Sequence, residues 1–131
     1  MNLLLDTHVL IWALENNPRL SESARAAIVD GENLVFASAV SVWEIGVKQA
    51  MGKLHVPDNL IKEIQIHRFT PLEINLQHAH LEGRLPAIHK DPFDRMLIAQ
   101  SMLEKLTIVT RDQIINQYDV IVLRALAFAK Q

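Results

Sequence analysis

Short unbroken apolar runs alternate along this chain with stretches of helical spacing. Residues 2–5 (NLLL) form a run without 3.6-residue polarity, closed abruptly by Asp6. A run of this kind ahead of a helical pattern reads as a strand buried on both faces of a parallel sheet. Residues 7–15 then place Val9, Leu10, Ile11, Trp12 and Leu14 in a mostly buried helix, which Asn16-Asn17-Pro18 ends. Ser21 caps a second helix, closed by Asp30-Gly31. Residues 34–37 (LVFA) predict the second strand. Ser38 or Ser41 caps the helix after it, which runs on to Met51-Gly52 with Gly52 just past its end. Pro57-Asp58 opens a helix to about His67. Residues 68–72 (RFTPL) read as a short strand whose proline suits a sheet edge.

Residues 75–83 are helical by pattern and residues 85–90 a loop. Asp91-Pro92 then opens a clear helix over 93–104, as N-cap and first helical residue. Residues 106–110 (LTIVT) form a strand of high β-propensity, 111–117 a loop or short helix, 120–123 the last strand, and 124–130 a terminal helix. Strands alternating with helices predict an α/β fold, a three-layer α/β/α sandwich with a mainly parallel central sheet and helices on both faces. No repeat or interdomain linker interrupts the pattern, so residues 1–131 are expected to form one domain.

Composition narrows the chemistry. Half of the residues are hydrophobic and 21% are charged, as in an ordinary globular protein. There is no cysteine, which excludes disulfides, thiolate metal sites and thiol nucleophiles and fits a reducing, cytoplasmic setting. No signal peptide is expected ahead of the first strand, and no run approaches the ~20 apolar residues of a membrane span. The net charge of −2 argues against strong non-specific binding to nucleic acid; any such contact must be local and helped by cations.

In a parallel sheet all strands end on one edge, where ligands bind in open α/β folds. Four acids belong to that edge: Asp6 after the first strand, Glu44 in the helix after the second, Asp94 at the start of the 93–104 helix, and Asp112 after LTIVT. Each has a bland explanation. Asp6 and Asp112 could cap helices, Glu44 has a capping-box spacing from Ser41 and an ion-pair spacing to Lys48, and Asp94 sits where the helix dipole favours an anion. Together these explanations weaken. A helix beginning at Ser38 leaves Glu44 in its second turn, and Asp91 already supplies the cap that Asp94 would. Carboxylates crowded around an open space raise one another's pKa or bind a cation. An all-oxygen set suits Mg²⁺ or Mn²⁺, which can activate water and stabilise in-line displacement at phosphorus.

The segments NLLLDTHVLIW, ASAVSVWEIGVK, HKDPFDRMLIAQS and LTIVTRD, in that order, resemble the motifs of PIN-domain proteins, specifically VapC-type toxins of toxin–antitoxin pairs. The resemblance runs from Asn2 to about Leu123. It implies a Mg²⁺- or Mn²⁺-dependent endoribonuclease acting on RNA, a homodimer, and inhibition by a small antitoxin protein whose tail occludes the acidic cleft. Carried over by position, Asp6, Glu44, Asp94 and Asp112 are the implied catalytic and metal-binding acids. Asp91, in the DPFDR variant of its motif, is an N-cap first and a metal or water contact second. Thr7 and Thr110 are expected to hydrogen-bond to the carboxylates. Arg95 and Arg111 are candidates to neutralise the cluster or touch phosphate. The six histidines show no HxxxH pattern and, the close pair His78 and His80 and also His89 included, read as structural or surface residues; Trp12 and Trp43 read as core or dimer-interface residues. Two other readings remain open. One is an inactive nucleic-acid-binding module of the same fold, although the presence of all four acids argues against loss of activity. A receiver-like phosphoacceptor domain needs a paired acid after strand one and an acceptor Asp after strand three, where this chain has Thr7-His8 and Thr70-Pro71.

Overall fold

The three leucines of β1 (Asn2–Leu5) are wholly excluded from solvent. Successive side chains of a strand point to opposite faces, so one run feeds two cores. Leu3 and Leu5 join Val9, Leu10, Trp12 and Ala24 on one side of the sheet. Leu4 joins Leu97, Ile98 and Ile108 on the other. The computed structural model describes residues 1–56 and 58–125 of the chain. The expected helix start at Pro57 and residues 126–130 of the expected terminal helix lie outside them.

β1 is followed by α1 (Thr7–Glu15) and α2 (Glu22–Val29), then β2 (Leu34–Ser38), α3 (Ala39–Ala50), α4 (Leu60–Ile66) and β3 (Thr70–Leu72). The second half contains α5 (Leu76–Arg84), α6 (Pro92–Glu104), β4 (Thr107–Thr110), a 3₁₀ turn at Ile115–Gln117 and β5 (Val122–Arg124). The sheet order is β3-β2-β1-β4-β5 and every pairing is parallel. Residues of α1, α2 and α4 pack into the first core, and those of α5 and α6 into the second, giving the three layers expected. The flavodoxin-like order 2-1-3-4-5 of receiver domains is a different one. Pro71 sits in β3, an edge strand, where its missing N–H costs no ladder bond.

Local chemistry sets the boundaries. Ser21 accepts a hydrogen bond from Ala24 N and caps α2; Ser38, not Ser41, caps α3 by accepting from Val40 N. Asn16, at the end of α1, adopts a left-handed conformation. Gly52 has φ +71°, the conformation that ends a helix at least cost when the residue has no Cβ. Arg124, expected to open a helix, instead belongs to β5, where it pairs with Thr110. No helix among the described residues is long and apolar enough to cross a membrane.

From β1 the chain moves through β2 to β3 at one edge, then crosses the other face to β4 and β5. The reversal lies between β1 and β4, and an open parallel sheet has a crevice outside the carboxyl ends of the strands at such a point.

Candidate functional site

That crevice is a cleft of about 410 Å³. Asp6, Glu44, Asp94 and Asp112 all line it, with Lys48, Asp91 and Arg111. Acids separated by up to 106 positions thus share one space, because β1, β2 and β4 end on the same edge and the loop before α6 folds over it.

Asp6 has two roles. Its Oδ1 accepts from Val9 N at 2.8 Å, capping α1, and its Oδ2 accepts from the Thr110 hydroxyl at 2.5 Å. The same hydroxyl accepts from Asp112 N at 3.0 Å, so Thr110 ties the ends of β1 and β4 together. Burial raises the Asp6 pKa from 3.8 to about 6; the hydrogen bonds from Thr110 and Val9 resist that rise, and the Glu44 charge adds to it. Thr7 donates to Glu44 Oε1 at 2.5 Å and lies 3.0 Å from Ser41 Oγ. Both expected threonine contacts are therefore present.

Glu44 is buried, and Lys48 one turn on donates to its Oε2. This is not the weak surface pair that i,i+4 spacing suggests, because only the lysine is partly exposed. Burial lowers the Lys48 pKa, but the Glu44 hydrogen bond and charge more than offset it, and the net shift is upward. Asp91 accepts from Phe93 N and Asp94 N and caps α6, as expected. Asp94 has no hydrogen-bond donor near its carboxylate among the described residues except His89 Nε2, at 3.2 Å. Burial, then the charges of Asp91 and Asp6, raise the Asp94 pKa from 3.8 to about 7; His89 opposes the rise. Asp112 accepts from Ile114 N through Oδ1 and from His89 through Oδ2.

Three residues behave differently from their sequence reading. His89 is buried, with Nε2 2.7 Å from Asp112 Oδ2 and 3.2 Å from Asp94 Oδ2. Its only sequence signal was a position two residues before the N-cap Asp91. His8 lines the cleft, and burial followed by the charges of Arg111 and Lys48 lowers its pKa, leaving a neutral ring there. Arg95 does not face the cleft. Its guanidinium donates to the carbonyls of Pro86 at 2.9 Å and Glu82 at 2.8 Å, with Leu85 at 3.2 Å, and so staples the loop that carries His89. Arg111 does line the cleft, its guanidinium 5.3 Å from the centroid of the Trp12 ring. Trp12 is a core residue, whereas Trp43 is 55% exposed and meets Phe93 edge-on with centroids 4.9 Å apart.

The donor set fits a hard divalent cation. It is carboxylate-rich and open to solvent, and Asp6 and Asp94 sit where their charged forms are disfavoured until a cation compensates them. Among the described residues, the ligand atoms that approach one another within 4.8 Å belong to His89, Asp94 and Asp112; Asp6 and Glu44 face the same cleft outside that set.

The family model described as PIN domain matches residues 3–121. No curated protein sequence matches the chain. Solved structures do. The structure of VapBC2 from Rickettsia felis bound to a promoter DNA fragment superposes with a TM-score of 0.72 at 15% identity, covering 95% of this chain and 99% of the other. DNA-bound VapBC from Salmonella typhimurium gives 0.69 at 19% identity, over 94% and 97% of the two chains. VapBC-5 from Mycobacterium tuberculosis, a member of the VapBC family of toxin–antitoxin systems, gives 0.60 at 17%, over 94% and 98%. At these identities the likeness is one of fold.

Proposed function

The chain belongs to the PIN domain family, and from that premise we propose that it is a Mg²⁺- or Mn²⁺-dependent endoribonuclease, the cytoplasmic toxin of a toxin–antitoxin pair. The observation that carries this reading is the convergence of Asp6, Glu44, Asp94 and Asp112 on one cleft at the switch point of the sheet. The fold shared with chains of VapBC complexes supports an antitoxin protein as partner; the working assembly in this reading is the homodimer that the family resemblance implies.

Asp6, Asp94 and Asp112 would hold the ion, each keeping lone pairs beyond those its hydrogen bonds use. Glu44 has both oxygens hydrogen-bonded, by Thr7 and Lys48, and like the others it keeps lone pairs with which it would join the ligand set. What the ion supplies when bound is Lewis acidity, acidifying water and neutralising charge that develops at phosphorus. Lys48 and Arg111 flank the acids and offset their repulsion of an incoming phosphodiester. Thr110 and Thr7 hold Asp6 and Glu44 in fixed rotamers, so little reorganisation accompanies binding. A slot of this shape takes single-stranded or looped RNA, whose backbone can bend into it.

The test is cleavage of single-stranded RNA by protein freed of any co-purified partner. Cleavage should require Mn²⁺ or Mg²⁺ and vanish in Asp6→Asn while the thermal melt shows a folded protein. Cleavage that persists in excess EDTA, or in Asp6→Asn, overturns the reading.

A further inference from the structure

His89 lies between two of the carboxylates assigned above to the ion, and its hydrogen-bond partners determine what it can do there. Its Nδ1 accepts the backbone N–H of Asp91 at 3.1 Å. A ring nitrogen that accepts carries no hydrogen, so in the neutral imidazole the hydrogen is on Nε2. That hydrogen points at Asp112 Oδ2, 2.7 Å away, with Asp94 Oδ2 3.2 Å from the same nitrogen. A protonated nitrogen has no lone pair for a metal.

The ring is fixed from behind. The backbone N–H of His89 donates to the Tyr118 hydroxyl at 2.7 Å, which in turn donates to Pro86 O at 2.8 Å. Arg95 grips the same loop from α6 through the carbonyls of Glu82, Leu85 and Pro86. A loop held at both sides and a ring held at Nδ1 leave Nε2–H one direction in which to donate.

We propose that His89 is a positioning residue of the acid cluster: through Nε2–H it holds Asp112 beside Asp94, spanning two carboxylates 18 positions apart in sequence, and it is not a ligand of the ion. The inference rests on the metal-site reading above. A donor in this place orients two anions that would otherwise repel each other apart. It also leaves the ligand set all oxygen, which selects Mg²⁺ and Mn²⁺ over softer ions that favour imidazole. The three ligand-type atoms that cluster within 4.8 Å are thus two ligands and their spacer.

Three measurements decide it. On the unsubstituted, metal-free protein, a long-range ¹H–¹⁵N correlation spectrum should show His89 protonated at Nε2 and bare at Nδ1. With Mn²⁺ bound, electron spin-echo modulation should show no ¹⁴N coupling from a histidine. The opposite tautomer, or such a coupling, overturns the proposal, and neither result depends on a variant folding. Mn²⁺ titration then compares His89→Ala with His89→Gln, whose amide nitrogen can occupy the Nε2 position. Alanine should weaken Mn²⁺ binding about 10–100-fold, the usual cost of losing a group that orients a metal's ligands, and glutamine should recover most of that loss. Equal binding by wild type and His89→Ala, or a glutamine variant as weak as alanine, overturns the role. If the wild type takes up no Mn²⁺ at all, the metal-site reading fails and this inference with it, whereas failure of the histidine tests alone leaves that reading standing.

Discussion

Replacing Asp94 with Asn should make the metal-free protein more stable at alkaline pH. The Asp94 carboxyl titrates near 3.8 in an unfolded chain and at about 7 in the fold, chiefly because of burial and then the charges of Asp91 and Asp6. Its side chain is 19% exposed, so solvent screening leaves most of that effect in place. Moving a pKa from 3.8 to about 7 means that ionising the group costs about 4 kcal/mol more in the fold than in the unfolded chain. Because the folded-state pKa is the higher one, the fold binds more protons than the unfolded chain across that window. The stability Asp94 contributes is fully present below pH 3.8 and is lost as pH rises through about 7. Asparagine has the shape of the protonated acid and carries no charge to lose. The gain at about pH 8 is bounded by those 4 kcal/mol and should fall between about 2 and 4 kcal/mol, since the wild-type neighbours relax in part. For a chain of this length that corresponds to roughly 10 °C in Tm. Urea unfolding in EDTA at about pH 5 and about pH 8 reads it directly, with about 1.6 kcal/mol of the difference already present at the lower pH and the rest appearing by the higher one. Added Mn²⁺ should narrow the gap at the higher pH, stabilising the wild type by about 2.7 kcal/mol at a hundredfold excess over Kd and the variant by less. An Asp94→Asn protein less stable than wild type at about pH 8 in EDTA would refute the crowding of charge on which the metal site is argued.

Other substitutions test the scaffold. Arg95→Ala should cost about 2–4 kcal/mol, because it strips donors from loop carbonyls of Glu82, Leu85 and Pro86; Arg95→Lys should recover little of this, since one ammonium cannot reach the fork of acceptors, and equal urea midpoints for all three proteins would remove the staple from the account. Leu4→Ala, at a wholly buried position in the central strand, should cost roughly 2–5 kcal/mol by chemical denaturation, and a loss under about 1 kcal/mol would contradict the packing described for the α5–α6 face.

Sequence alone determined the layers and the identity of the acids. Unbroken apolar runs followed by helical spacing can satisfy their backbone groups and bury their side chains together in only one common way, a parallel sheet covered on both faces. Caps are equally local: Ser21, Asp91 and Gly52 act within a few residues of themselves, so their roles were legible from spacing. Tertiary structure decided what depends on contacts between distant segments. Arg95 stands beside Asp94 in sequence, and only the fold turns its guanidinium toward the 82–86 carbonyls and away from the cleft. Glu44 and Lys48 have the spacing of a weak surface pair, and only burial of the carboxylate makes the pair a strong one. His89 has no motif of its own; its partners lie at Asp112 and Tyr118, 23 and 29 positions away, and the identity of the nitrogen that carries its hydrogen follows from a single backbone N–H. Periodicity records which face of an element is dry, whereas the direction of a polar side chain is set by whichever partner the fold brings within 3 Å of it.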